Sequence, residues 1–489
     1  MSIIIKTPVN LKEVKREWLA HQLKKNPHFH SRREFLGQSA AGVTALTFMP
    51  TIFSLMTKTH SAQAAVGFNA RAVVLNCPGG LTITSEVVPQ TVNGAFLTAG
   101  SYSTSGMPGQ NLTTGVSTKY GAPMWTASLF FQGLEQINAQ IESLGGKIYV
   151  AAGFHSNSQD DSTNNPIGVA PHIVSAAMQA GAKFRVAGTQ LNSNNANGGR
   201  AQPSVDFPGV RPAVATTLAQ AQDLLSVKKS ALAAMSTDAL VAGASLAEKL
   251  TQGATQRFQA MTGGRQLAEL TRAANADLKT NVANENPLDP RTSTVLQSAY
   301  GITPSTAVTD PRVAMAASLQ FLLNGISPVM VAQLQANFDY HDGTDGWANP
   351  TTGQHALVFN TLKPMLLAAA QSRVSLGVYV QTDGASSMAR DQKRSIGDAN
   401  QIHGALYIYL CMNNEQAPSR FQLGGFRSND NAGGSADTDT NVNILQRNPA
   451  NEAHAFMASL LGMQNYKVAD YAPPNTSRDV FEQLNIFNR

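Results

Sequence analysis

Only two cysteines, Cys77 and Cys411, occur in 489 residues. That scarcity excludes a disulfide-built scaffold and any cysteine-rich zinc or iron–sulfur motif. Charge is sparse too, at 14% Asp, Glu, Lys and Arg, and after residue 64 no basic run carries interleaved aromatics, so nothing there supports nucleic-acid binding. No dinucleotide-type glycine pattern opens a helix after the first predicted strand, and no cysteine pair stands at haem or metal spacing, so the usual signatures of a redox enzyme are missing. After residue 64 no long apolar run remains, so the rest of the chain is expected to be soluble and without a membrane span.

What is present begins at the N-terminus. "SRREFL" at Ser31–Leu36 leads into the uncharged run "GQSAAGVTALTFMPTIFSLM", and Ala62-Gln63-Ala64 follows as a small-residue cleavage site. A basic lead, paired arginines, an apolar segment and an A-x-A in that order predict a twin-arginine export signal over residues 1–64, hence a periplasmic or secreted protein that meets the twin-arginine translocase during export. The competing reading is an N-terminal membrane helix, which Pro50 and the cleavage site argue against. The signal holds nine of the 36 Lys/Arg and three of the 31 Asp/Glu, so the exported part is close to neutral. The twin-arginine route carries chains that are already folded, which suits a protein loaded with a metal beforehand.

The exported residues 65–489 read as a single α/β domain. "RAVVLNC" from Arg71, "GKIYVAAGF" from Gly146, "AKFRVAG" from Ala182, "PVMVAQLQA" from Pro328 and "SLGVYVQ" from Ser375 have the length and apolar content of buried strands. Between them, "TASLFFQGLEQINAQIESLG", "IVSAAMQAG", "PAVATTLAQAQDLLSV" and "GQHALVFNTLKPMLLAAAQS" have helical spacing. Apolar strands joined by helices predict a mostly parallel sheet with helices on both faces. The Ala/Leu/Gln/Lys-rich stretch 212–320 is predicted to be a mainly helical insertion or cap. Cys77 falls in a strand-like run and Cys411 in a helix-like one, so two buried thiols are at least as compatible with the sequence as a disulfide.

In an open α/β sheet, functional groups gather beyond the carboxyl ends of the strands. Four such ends carry candidates: Pro78-Gly79-Gly80, then His155 in "HSNSQDDS", then Asp339 and His341 in "NFDYHDGTDGW", and Asp383 in "QTDGASSMARD". "GDANQIHG" adds Asp398 and His403 ahead of a helix-like run. Asp339 and His341 are two apart, so on extended backbone they share a face and can share one ion; together they suit zinc, manganese or iron better than calcium. A loop hydrogen-bonding pair is the competing reading. His172, His355 and His454 are read as structural, on helices. Ser156 and Ser158 lie near His155, but no nucleophile is assigned.

The order of these features, a twin-arginine signal, "RAVVLNCPGG", "FDYHDG", "VYVQTDGASSMAR" and "GDANQIHG", resembles a bacterial twin-arginine-exported family, domain of unknown function fifteen-oh-one, grouped with the alkaline-phosphatase/sulfatase superfamily. The resemblance implies an alkaline-phosphatase-like fold and a divalent transition metal held by Asp339, His341, Asp383 and His403, with His155 as a contact to a small anionic ester substrate. Two of that family's acidic positions are occupied otherwise: Ile402 precedes His403 where an aspartate is usual, and Leu81 and Thr82 follow the first Gly-Gly. Two functions remain open on this reading: a metal-dependent hydrolase of phosphate or sulfate esters, and a non-catalytic envelope binding or assembly protein that has lost part of the hydrolase site.

Overall fold

The structure, a computed structural model, describes residues 71–79, 81–99, 102, 114–156, 174, 189–191, 213–214, 217–225, 289–325, 327–334, 338, 352–382, 403–412, 415–426, 443–472 and 476–487. All of them belong to one of the two compact units into which the chain divides, Ala64–Ser226 with Asn286–Arg489; the other unit, Met1–Gln63 with Val227–Glu285, lies outside the described residues.

Ten strands are described: β1 (Arg71–Cys77), β2 (Val116–Ser117), β3 (Met124–Trp125), β4 (Lys147–His155), β5 (Thr189–Leu191), β6 (Ala213–Val214), β7 (Val329–Gln333), β8 (Leu376–Thr382), β9 (His403–Cys411) and β10 (Gln422–Gly424). β2 and β3 pair antiparallel on their own, and the other eight form one sheet in the order β10-β4-β9-β8-β1-β7-β5-β6. From β8 through β1, β7 and β5 to β6 every pairing is parallel, as is β10 with β4. β9 runs against both of its neighbours. The mostly parallel sheet expected from the sequence is therefore corrected to a mixed one, and its longest register, from Lys147↔Cys411 to His155↔His403, is antiparallel.

β9 is also where a helix-like run was expected. "HGALYIYLC" is apolar at nearly every position, and such a run does not reveal its period. In the fold it alternates, with Leu406, Ile408 and Leu410 on one face and Tyr407, Tyr409 and Cys411 on the other. β1 divides the same way, Val73 and Leu75 against Ala72 and Val74. Each face is covered by helices, which puts the protein in the α/β class. Over the first face lie α1 (Leu129–Ser143), α2 (Leu218–Leu225), α3 (Thr294–Tyr300), α4 (Pro311–Leu323) and, after the short turn α5 (Thr352–His355) and a π-helical segment Ala356–Leu362, α6 (Lys363–Gln371). Over the second lie α7 (Pro449–Met463) and α8 (Arg478–Gln483).

Local chemistry sets the helix starts. Ser128 accepts from the Phe131 N–H at α1, and Asp310 and Asn448 cap α4 and α7 ahead of Pro311 and Pro449, whose missing N–H costs nothing in a first turn. α7 lies close on the sheet at Gly377 of β8, where a Cβ would stand 2.8 Å from Leu460 Cδ1 and 2.9 Å from Phe456 Cε2. Of the stretch 212–320, β6 belongs to the sheet and α3 and α4 line its core, while 226–288 lies outside the described residues. The predicted strand from Ala182 and helix "IVSAAMQAG" also lie outside them, apart from Val174. Cys77 and Cys411 are buried free thiols. They close β1 and β9, and β9 runs opposite to the β8 that pairs in parallel with β1, so they stand at opposite edges of the sheet. Among the described residues no helix is long and apolar enough to cross a membrane.

Candidate metal centre

His155 ends β4 and His403 begins β9, and because these strands are antiparallel the two are direct register partners. Both point to the α7 side of the sheet, their rings stacked with centroids 4.9 Å apart and planes at 26°. The first turn of α7 brings down the third group, Glu452. Its Oε1 lies 3.3 Å from His155 Nε2 and 3.2 Å from His403 Nδ1, and all three side chains are fully buried, at 0% exposure. Among the described residues this is the one group of three or more His, Cys, Asp or Glu side chains whose donor atoms converge, all within 4.8 Å of one another.

The loop before α7 fixes that approach. Asn443 Nδ2 donates to the Phe154 carbonyl at 3.1 Å and Arg447 Nε to the Ser156 carbonyl at 3.0 Å, so the chain is fastened to the end of β4 just before Asn448 starts the helix. Gln446 and Arg447 take left-handed backbone, φ 55° and 56°, which L-residues adopt at a cost of about 1–2 kcal/mol each. On the other side, Tyr379 of β8 donates its hydroxyl to Glu452 Oε2 at 3.3 Å. The Thr382 carbonyl accepts from His403 Nε2 at 3.1 Å, and the Thr382 hydroxyl oxygen accepts from the Leu81 N–H at 2.9 Å. The turn after β1 thus props the residue that orients His403.

A carbonyl is only an acceptor, so His403 carries a proton on Nε2, and a neutral His403 presents a bare Nδ1 to the Glu452 carboxylate. Two lone-pair acceptors 3.2 Å apart require a cation between them: a second imidazole proton or a metal ion. His155 sharpens this choice, since its Nε2 stands at ion-pair distance from Glu452 yet neither of its ring nitrogens makes an aligned hydrogen bond. Burial pushes the His155 imidazole down, and Glu452 only partly opposes that. Burial would raise the Glu452 carboxyl, but His403 and His155 facing it outweigh the effect and hold it at about 2. The N-terminal end of α7, with its free N–H groups, also favours an anion in its first turn. A neutral imidazole and an ionised carboxylate are the forms that ligate metals.

The donor set fits a divalent transition metal. Two imidazoles and a carboxylate suit zinc, manganese or iron, and the His403 N–H on a backbone carbonyl and the tyrosine on the carboxylate are the supports that metal ligands ordinarily have. A metal here would act as a Lewis acid on an oxygen or as a fixed tie between three chain segments. The protein's own residues supply the rest: Tyr379 and Thr382 orient the ligands, and the apolar sheet face with α7 excludes water.

Of the residues expected at the site, the fold brings together His155 and His403. Asp339, His341 and Asp383 lie outside the described residues, as do Asp398 and His172. Ser156 is buried and Ser158 is not among the described residues. His355 is exposed at the end of α5 and His454 is buried in α7, edge-on to Phe481, both on helices as expected. Glu452 was not singled out from the sequence. Its signal is the start "NPANEAHAFMASLLGM", in which an Asn-Pro cap is followed by the single charged residue of a mainly apolar helix. The chain matches no protein-family model, no curated protein and no solved structure.

Proposed function

We propose that this is an exported metal-binding protein of the phosphatase/sulfatase-like type, with one divalent transition metal held by His155, His403 and Glu452. The observation that carries this reading is the buried Glu452 carboxylate facing two imidazole nitrogens, one of which lacks any aligned hydrogen bond. His155 then serves as a ligand rather than as a contact to substrate. The resemblance adds Asp339, His341 and Asp383 as further ligands and phosphate or sulfate esters as substrates, whose oxygen a metal polarises. Asp383 immediately follows Thr382, the residue that holds His403.

A second reading, a non-catalytic envelope binding or assembly protein, is favoured by one observation: all three ligands have zero exposure, which keeps a metal held by them out of reach of an outside substrate. The test uses mature protein exported through its own signal. Metal content is measured by mass spectrometry beside an Asp339→Ala/His341→Ala variant and a His155→Ala/His403→Ala variant, and turnover is assayed on aryl phosphate and aryl sulfate esters. Metal in the native protein, its loss with His155 and His403, and ester turnover support the hydrolase. Metal without turnover supports the second reading, and a native protein that neither holds nor takes up metal overturns the metal-binding reading and leaves only a non-catalytic binding or assembly role.

A further inference from the structure

The ligands come from three elements that nothing else covalent joins: the end of β4, the start of β9 and the first turn of α7. We propose that the metal at His155, His403 and Glu452 is a structural tie, which fastens the C-terminal segment 443–487 onto the sheet, so that loading with metal completes the fold. This rests on the metal-binding reading above and is independent of ester hydrolysis.

Three observations carry it. The site is sealed from solvent, with its ligands at 0% exposure and the outer atoms of His403 and Glu452 already held by the Thr382 carbonyl and the Tyr379 hydroxyl. Second, Glu452 is a carboxylate pressed by its helix onto an aromatic face, where Phe456, one turn on, stacks at 5.5, 6.5 and 6.0 Å from the rings of Tyr379, Tyr407 and Tyr409. Docking α7 on that face without a cation buries a charge, which is costly unless it is fully paired, whereas a bound metal turns the same carboxylate into a tie. Third, an unpartnered oxygen stands beside the cluster. The Tyr407 hydroxyl is buried and makes no hydrogen bond, and it reaches over Gly153, where a Cβ would lie 2.8 Å from it. Gly153 is two residues before His155 on the same face of β4, so the missing side chain there makes room for the Tyr407 hydroxyl, which no protein group satisfies.

Beyond α7, the segment is held to the rest by ordinary packing and a few polar bonds. The Ile486 N–H donates to Ser459 Oγ at 3.1 Å and the Ile486 carbonyl accepts from the Ser419 N–H at 2.8 Å. If α7 lifts, α8 loses its base.

The experiment is hydrogen exchange on the full mature chain, as exported, after chelator treatment and after re-addition of zinc, with bound metal counted in the same samples. The expected result is that chelation removes the metal and protection is lost across 449–463 and 478–487 while β1 and β8 keep theirs, and that zinc restores it. Glu452→Gln should hold less metal and show the exposed pattern even with zinc present. Metal that comes and goes with no change in exchange at 449–463 overturns the tie and leaves metal binding standing. A protein that takes up no metal overturns both, and the wild-type chelation arm keeps the test decisive if the variant fails to accumulate.

Discussion

At Gly377 α7 lies close on the sheet, and a single methyl group there tests the packing that aims Glu452. In Gly377→Ala the new Cβ would meet Leu460 Cδ1 at 2.8 Å and the Phe456 ring at 2.9 and 3.0 Å, both from side chains with no exposure. Alanine is otherwise the better strand residue by roughly 0.5–1 kcal/mol, so a neutral or stabilising substitution would mean that the gap is not tight. Contacts this short between buried side chains require a shift, and overpacking of this kind costs about 1–3 kcal/mol. The net expectation is a loss of ~1–2 kcal/mol, read as a lower urea midpoint at unchanged slope. Leu460→Ala alone should cost about 2–5 kcal/mol through its cavity. Because the added methyl refills part of that cavity, the double variant should lose less than the two single losses together, with a coupling of ~0.5–3 kcal/mol. The displaced helix also moves Glu452, so Gly377→Ala should bind metal more weakly while all three ligands are retained. Strict additivity, or an unaltered metal affinity together with the stability loss, would refute the claim that this contact aims the ligand.

Tyr379→Phe removes the hydroxyl on Glu452 Oε2 and nothing else, so metal affinity measured by chelator competition should fall by about 10–100-fold, the usual effect of losing a support to a ligand. Arg291 grips Asp289 with Nε at 2.9 Å from Oδ1 and Nη2 at 2.6 Å from Oδ2, and this pairing holds the Asp289 carboxyl below its ordinary value. A depressed folded pKa gives stability that is present above the unfolded pKa and lost as pH falls through the folded one. The difference in urea midpoint between wild type and Asp289→Asn should therefore be constant near neutrality and shrink on acidification below about pH 4; a difference that grows there would sink this assignment. Cys77 and Cys411 are buried, and burial pushes the Cys411 thiol up, so both should resist alkylation in the native protein and react on unfolding, with mass spectrometry finding no disulfide between them.

Short apolar runs with β-branched residues were legible as strands. "RAVVLNC" spans β1 residue for residue, and "SLGVYVQ" lies within one residue of β8 at each end, because a fully buried strand needs nothing beyond length and apolar content. Direction was not legible. A parallel crossover needs a helix or its equivalent between strands, and the apolar run "HGALYIYLC" fits the helix slot as readily as the strand slot, since its alternation of Tyr and Leu is hidden by both being apolar. The site divides along the same line. His155 was found because a polar residue ending an apolar strand stands out, whereas Glu452 belongs to a helix 49 residues after His403. Only the three-dimensional return of that helix over the sheet gives the carboxylate its partners.

The reversal of β9 is what creates the centre. His403 opens its strand, and in an all-parallel sheet a residue that opens a strand of this length lies at the amino edge, roughly 25 Å from the carboxyl edge where His155 sits. With β9 turned around, its first residue reaches the carboxyl edge and becomes the register partner of the last residue of β4. The same reversal carries Cys411 to the far edge, away from Cys77. It also sets Tyr407 opposite Tyr379, at the register Tyr379↔Tyr407, so that both rings lie beneath Phe456 one turn after Glu452. One strand direction therefore fixes the imidazole pair, the aromatic bed for α7 and the separation of the thiols.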